Sequence, residues 1–206
     1  MTSQSMSQNM SQSTAGRANQ KLRTRTAIVQ AAAELSRTGR EVTMPEVARA
    51  ALVSEATAYR YFPDLVSLLQ EAFAGQLPSA AEALEPVADS VDPVERVAAA
   101  TEFLLRHVLA RQGVVRAMIA ATVVRPGGAS ARPGLRFGLI DHALSPLDGT
   151  LGAADPAALT QLKRDLAVVV SAEALFVLTD LQGLDPDDAI TSLVHTATTL
   201  TRAALP

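Results

Sequence analysis

Residues 43–62 read TMPEVARAALVSEATAYRYF, and the second half of this stretch is crowded with hydrogen-bonding side chains. Glu55, Thr57, Tyr59, Arg60 and Tyr61 leave a short helix little to bury, and a helix that buries little presents its side chains to a partner. The major groove of B-DNA admits a helix of that size. Catalytic chemistry has far less to work with. The chain has three histidines (His107, His142, His195) and no cysteine. It has no Glu-x-x-His pair for a di-iron bundle, no glycine-rich phosphate loop and no Gly-x-Ser-x-Gly elbow. We therefore expect no catalytic residue, no metal and no cofactor.

The elements that must hold this polar segment are legible around it. Thr43-Met44-Pro45-Glu46 reads as a capping box: the Thr43 hydroxyl accepts from the Glu46 amide, and the Glu46 carboxylate reaches back to the Thr43 amide. Pro45 falls in the first turn, where a missing N–H costs little. Val47, Ala48 and Ala51 then face inward. Leu52-Val53-Ser54 forms a turn, Ser54 caps a third helix to about Phe62, Pro63 ends it, and Asp64 caps a fourth running toward Leu77-Pro78. Phe62 belongs to the core. Before this pair, Leu22, Ile28, Ala32 and Leu35 mark one face of a first helix, and Gly39 stands just past its end.

Charge is distributed unevenly. The net charge is −3, but residues 17–62 carry eight basic and four acidic side chains, a local balance of +4, and residues 63–206 carry −7. A basic head on an acidic body fits a nucleic-acid-binding segment joined to one that does not bind it; ordinary solvated surface charge is the plain alternative. Residues 1–16 are Ser/Gln/Met-rich and uncharged, so we expect a disordered arm and no secretory signal. The longest nearly unbroken apolar stretches, such as Met118–Val124, are far short of the roughly 18 residues a membrane span needs, so a soluble, cytoplasmic protein is expected.

Beyond residue 64 the pattern stays helical. Asp92-Pro93, Asp155-Pro156 and Asp185-Pro186 each offer an N-cap followed by proline at the first helical position, while Pro126-Gly127-Gly128 and Pro133-Gly134 mark loops. Residues 166–178 carry only Ser171 and Glu173 as polar side chains, so this helix must be covered on more than one side. The last helix has an apolar stripe of Ile190, Leu193, Val194, Ala197 and Leu200. Together with Leu166, Val169 and Val170 it supplies a face for a second subunit; a buried hairpin inside a monomer is the alternative.

Over residues 20–76 the sequence resembles the TetR family of bacterial one-component regulators. The resemblance rests on the capped Thr43, a second helix rich in small residues, the turn Ala51-Leu52-Val53-Ser54, and Tyr59-Arg60-Tyr61-Phe62-Pro63-Asp64. It implies an all-α chain. A three-helix DNA-binding domain occupies 17–76, with the helix-turn-helix at 43–62, and 77–206 forms a helical ligand-binding and dimerisation domain. It also implies a homodimeric repressor released from double-stranded operator DNA by a small-molecule effector. A helical dimeric protein-interaction module that has lost operator binding is the rival reading.

By position, the resemblance gives Thr43 and Ser54 contacts to phosphate oxygens, and Tyr59 and Tyr61 contacts to phosphate through their phenols. Glu55, Ala56, Thr57 and Arg60 face the groove, and Arg17, Lys21, Arg23 and Arg25 reach backbone or minor groove. For each tyrosine, burial in the small domain is the alternative. The family usually has glycine where Leu52 stands and lysine where Leu65 stands. Leu52 therefore needs negative φ or a strained backbone, and one phosphate contact is in question. Glu55 repels phosphate unless it meets a cytosine amine. In the body, Phe103, His107, Met118, Phe137, His142 and Phe176 are candidates for lining an effector site, and Arg106, Arg116 and Arg136 could meet an acidic group. Against these stand packed core and solvated surface arginine.

Overall fold

The computed structural model describes the backbone except at residues 1–2, 38–41, 74–77, 125–133 and 206, and the side chains except at those residues and at 3–15, 17, 121, 122 and 124. Among the described residues every regular element is helical. The chain forms two compact units. One comprises residues 1–74 with 116–131, the other 75–115 with 132–206.

The first unit is built from α1 (Ser3–Ser36), α2 (Met44–Ala50), α3 (Glu55–Tyr61) and α4 (Leu65–Phe73). Here α1 packs against α2 and α4, and α2 against α3, around Ile28, Val47, Ala48, Ala58, Phe62, Leu68 and Leu69. The backbone of α1 is helical from Ser3, through residues whose composition predicts a disordered arm. The composition concerns what a segment can bury; Gln and Met are good local helix formers, and the segment holds no proline. Asp64 caps α4 as expected, its Oδ1 accepting from the Ser67 amide at 2.7 Å. Gly39, Leu77 and the loop residues Pro126, Gly127, Gly128 and Pro133 lie outside the described residues.

The second unit contains α5 (Ala80–Ala83), α6 (Pro93–Ala110), α8 (Leu135–Leu144), α9 (Leu151–Ala154), α10 (Pro156–Val169), α11 (Ala172–Phe176) and α12 (Pro186–Ala204). The helix α7 (Gln112–Val124) has residues in both units. All three Asp-Pro caps form. Asp92 accepts from the Val94 amide at 2.8 Å, Asp155 from Ala158 at 3.0 Å and Asp185 from Asp187 at 2.9 Å, with the following proline in the first turn each time. Each such cap is worth about 1 kcal/mol.

Two expectations for this unit need correction. The single apolar helix expected at 166–178 is three segments: α10 ends at Val169, Ser171 caps α11 by accepting from the Ala174 amide at 3.1 Å, and a π-helical turn spans Val177–Leu181. A run of three β-branched valines, which helices tolerate poorly, leads into a serine whose hydroxyl offers a better alternative to the ladder. The side chains expected at a subunit interface are also placed otherwise. Leu166, Val170, Ile190, Leu193 and Ala197 are buried in the unit's own core, and Val169, Val194 and Leu200 pack partly buried against it. Their stripe is satisfied inside the protomer, where α12 packs on α6 and α10.

One arginine holds this unit together. Arg96 is only 4% exposed, and its described partners are all carbonyl oxygens: Nε donates to Ala143 at 3.2 Å, Nη2 to His142 at 2.8 Å, and Nη1 to Val87, Ala88 and Ser90 at 3.0, 3.3 and 3.3 Å. It thereby ties the last turn of α8 to the 3-10 turn at Glu85–Val87.

Candidate nucleic-acid interface

The geometry of α2 and α3 is fixed by local hydrogen bonds. Thr43 makes the full capping box: its hydroxyl oxygen lies 3.4 Å from the Glu46 amide, and Glu46 Oε2 accepts from the Thr43 amide at 3.1 Å and from its hydroxyl at 2.9 Å. The hydroxyl proton expected to reach a phosphate is thus given to a carboxylate. At the other end, the Leu52 amide donates to Arg49 O at 3.2 Å and the Val53 amide to Ala48 O at 2.9 Å. This is the paired termination that needs a left-handed residue between helix and exit.

That residue is Leu52, with φ of 56° and 93% of its surface exposed. Of the two conformations open to it, it takes the strained one. A leucine in the left-handed region is penalised by about 1–2 kcal/mol, and this one gains no burial in return. Leu52→Gly should therefore raise stability by about 1 kcal/mol, after allowing for the larger unfolded-state entropy of glycine, read as a higher urea midpoint at unchanged slope.

Ser54 starts α3, its Oγ accepting from the Thr57 amide at 3.2 Å and lying 2.9 Å from the Thr57 hydroxyl. Successive residues of a helix are about 100° apart. On that wheel Glu55, Tyr59, Ala56 and Arg60 follow one another around one side, and all four are exposed. Thr57 and Tyr61 come next past Arg60, half-buried, and Ala58 completes the circle between Tyr61 and Glu55, in the core with Phe62 after the helix. The helix is anchored by one alanine and the phenylalanine that follows it, and turns its polar chemistry outward. Tyr59 is 49% exposed and Tyr61 is the more covered of the two tyrosines. The Arg60 guanidinium lies 5.8 Å from the centre of the Tyr61 ring.

The cations of α1 divide. Lys21 and Arg23 are exposed. Arg25 is committed within the unit: it forms a two-pronged ion pair with Glu71, with Nε to Oε1 at 2.8 Å, and its guanidinium lies 4.6 Å over the Phe62 ring. The DNA contact expected of it would have to compete with that ion pair. The side chain of Arg17 lies outside the described residues.

The six effector-lining candidates are not alike. Phe103 and Phe176 are partly buried against the second unit's core. Phe137 is 52% exposed, with the Arg136 guanidinium 4.9 Å over its ring. Met118 is buried but is a residue of the first unit. His142 is half-buried, and its backbone carbonyl serves Arg96. Arg106 pairs with Glu102 and Asp187, and Arg136 with Glu173.

His107 stacks on Phe103 with ring centres 6.0 Å apart, and its Nδ1 lies 3.1 Å from Arg111 Nη1. Burial first, and the Arg111 cation second, push its pKa below the ordinary 6.5. Because the folded state holds this imidazole neutral, the unfolded chain takes up the proton first as pH falls through 6.5. Stability present above that pH is then lost on acidification. Melting temperatures at pH 7.5 and 5.5 should show a smaller drop in His107→Gln than in the parent.

A helix-turn-helix that hides one alanine of its second helix and shows four neighbouring side chains is the head of a DNA-binding transcriptional regulator. Residues 28–72 match the family model described as bacterial regulatory proteins, tetR family, and this match supports the reading of the head as that of a DNA-binding transcriptional regulator. The match covers the head alone. No curated protein matches the chain. Among the described residues no helix is long and apolar enough to cross a membrane.

Proposed function

We propose that this chain is a repressor whose homodimer holds operator DNA and lets it go when a small molecule binds the body, residues 77–206. The observation that carries the DNA reading is the outward side of α3, where Glu55, Ala56, Tyr59 and Arg60 stand exposed while Ala58 is buried. Ser54, Thr57 and Tyr61 border it and supply hydroxyls for phosphate oxygens. Lys21 and Arg23 add charge from α1.

The dimer reading now rests on different side chains from those the periodicity picks out. Val168 on α10 and Val177 and Leu181 in the π-helical turn remain exposed, on segments packed against α12. A second copy would remove them from water. Such a dimer reads half-sites about 34–36 Å apart, so a ligand need only favour a state with another spacing. Operator must then weaken that ligand's binding by the same factor.

The rival reading, a protein-interaction module without operator binding, is favoured by the exposed carboxylate of Glu55 and by the engagement of the Thr43 hydroxyl with Glu46. A gel shift with DNA from upstream of the coding sequence separates the two. A salt-sensitive, sequence-selective complex supports the repressor, and no complex at low salt removes it. Sedimentation of the parent and of Leu181→Lys tests the dimer, which a parent monomer at micromolar concentration would exclude.

A further inference from the structure

Among the described residues one buried side-chain polar atom has no hydrogen-bond partner, and it is Nε2 of His107. Its chemistry is set by the other ring nitrogen. Arg111 Nη1 can only donate, so Nδ1, 3.1 Å away, accepts. A neutral imidazole that accepts at Nδ1 carries its proton at Nε2. The orphan is therefore an N–H donor, shut off from bulk water, on a ring stacked against Phe103. Buried donors are rarely left unmatched, because the group has given up water for nothing. Near it the half-buried Phe103 and the Arg111 guanidinium offer an apolar ring and a positive field, and neither can accept.

We propose that His107 Nε2–H is the polar anchor of the effector site, and that the effector is a small, largely apolar molecule carrying a neutral carbonyl oxygen. This rests on the effector reading of the body given above. The carbonyl accepts from Nε2–H, and its apolar remainder lies beside Phe103. A carboxylate is disfavoured because it would be desolvated at Nε2 without a direct cation partner, the Arg111 guanidinium being engaged at the other ring nitrogen, Nδ1. His107 would then distinguish a ketone, ester or amide from a hydrocarbon of the same shape, since the hydrocarbon leaves the donor unmatched.

The test uses the full-length protein and two isosteric pairs: acetophenone with α-methylstyrene, and 2-octanone with 2-methyl-1-octene. In each pair C=O is exchanged for C=CH2. Long-range nitrogen NMR of histidine-labelled protein should report the Nε2–H tautomer of His107 without ligand, a reading that needs no variant. The ketones should move that resonance and bind about tenfold or more tightly than their alkene partners by titration. In His107→Phe, which keeps a ring against Phe103, the difference within each pair should vanish. The Nδ1–H or doubly protonated form, equal binding within each pair, no binding by any of the four compounds, or tighter binding by benzoate would each overturn the proposal.

Gel shifts keep its fate separate from that of the effector reading. A ketone that engages His107 yet leaves the DNA complex intact defeats the effector reading and leaves the anchor standing. A compound that releases DNA equally from parent and His107→Phe defeats the anchor and leaves the effector reading standing.

Discussion

Arg96→Met should cost the folded protein about 3–5 kcal/mol, read from urea unfolding, although methionine fills much of the same space. Arg96 donates to five carbonyl oxygens, and those of His142 and Ala143 belong to the last turn of α8, where the helix has no amides left to satisfy them. The positive charge also lies at the negative end of that helix. Methionine takes a donor from all five acceptors: the Ala143 carbonyl lies in a buried contact, the other four in part-buried ones, and among the described residues only those of His142 and Val87 keep a further donor, from the Ser145 hydroxyl and the Ser90 amide. Arg96→Lys should recover only part of the loss, because one ammonium cannot span two segments that a planar guanidinium reaches with three nitrogens. A loss below about 1 kcal/mol in the methionine variant would mean that water replaces the guanidinium, and that the carbonyl cluster is not what fixes α8.

Arg96 also marks where a sequence stops being readable. Its carbonyl partner Ala143 is 47 positions away, and Arg25 meets Glu71 across 46. Nothing in the pattern of an arginine says whether it is solvated, paired or buried, so sequence alone leaves Arg25 available to DNA and gives Arg96 no role. What could be read was local. The capping box at Thr43, the caps at Asp64, Asp92, Asp155 and Asp185, and the turn at Leu52 each depend on side chains within a few residues of the groups they satisfy.

Periodicity occupies the middle ground. It correctly marked the stripe from Ile190 to Leu200 as apolar. It could not say whether that stripe meets α6 and α10 of the same protomer or another subunit, because both remove it from water alike. The break at Ser171 had a signal in the valines before it, but thirteen mostly apolar residues outweighed one serine. The polar side of α3 was legible for the opposite reason: charged and hydroxyl side chains with no apolar period have no core to enter.

On that side of α3, Arg60→Ala should weaken operator binding by about 1–3 kcal/mol and relax the base preference at one position of each half-site. Arg60 is exposed, lies at the far edge of the run Glu55, Tyr59, Ala56, Arg60, and is the only cation in α3. Its planar fork matches the O6 and N7 acceptors of guanine, and the Tyr61 ring at 5.8 Å is its nearby aromatic face. Tyr61→Phe removes a single phenol at the half-buried margin, where a phosphate is the reachable partner. It should weaken every DNA sequence by about the same factor. Competition with single-base operator variants separates the two roles, and the salt dependence checks the result independently. A base-reading Arg60 leaves the slope of log affinity against log salt nearly unchanged when it is removed, whereas a phosphate-binding Arg60 lowers that slope by about one. If Arg60→Ala loses affinity uniformly and the slope falls, Arg60 holds the backbone. Base discrimination then passes to Glu55, Ala56 and Tyr59, with Glu55 the one side chain among them able to accept from a cytosine amine.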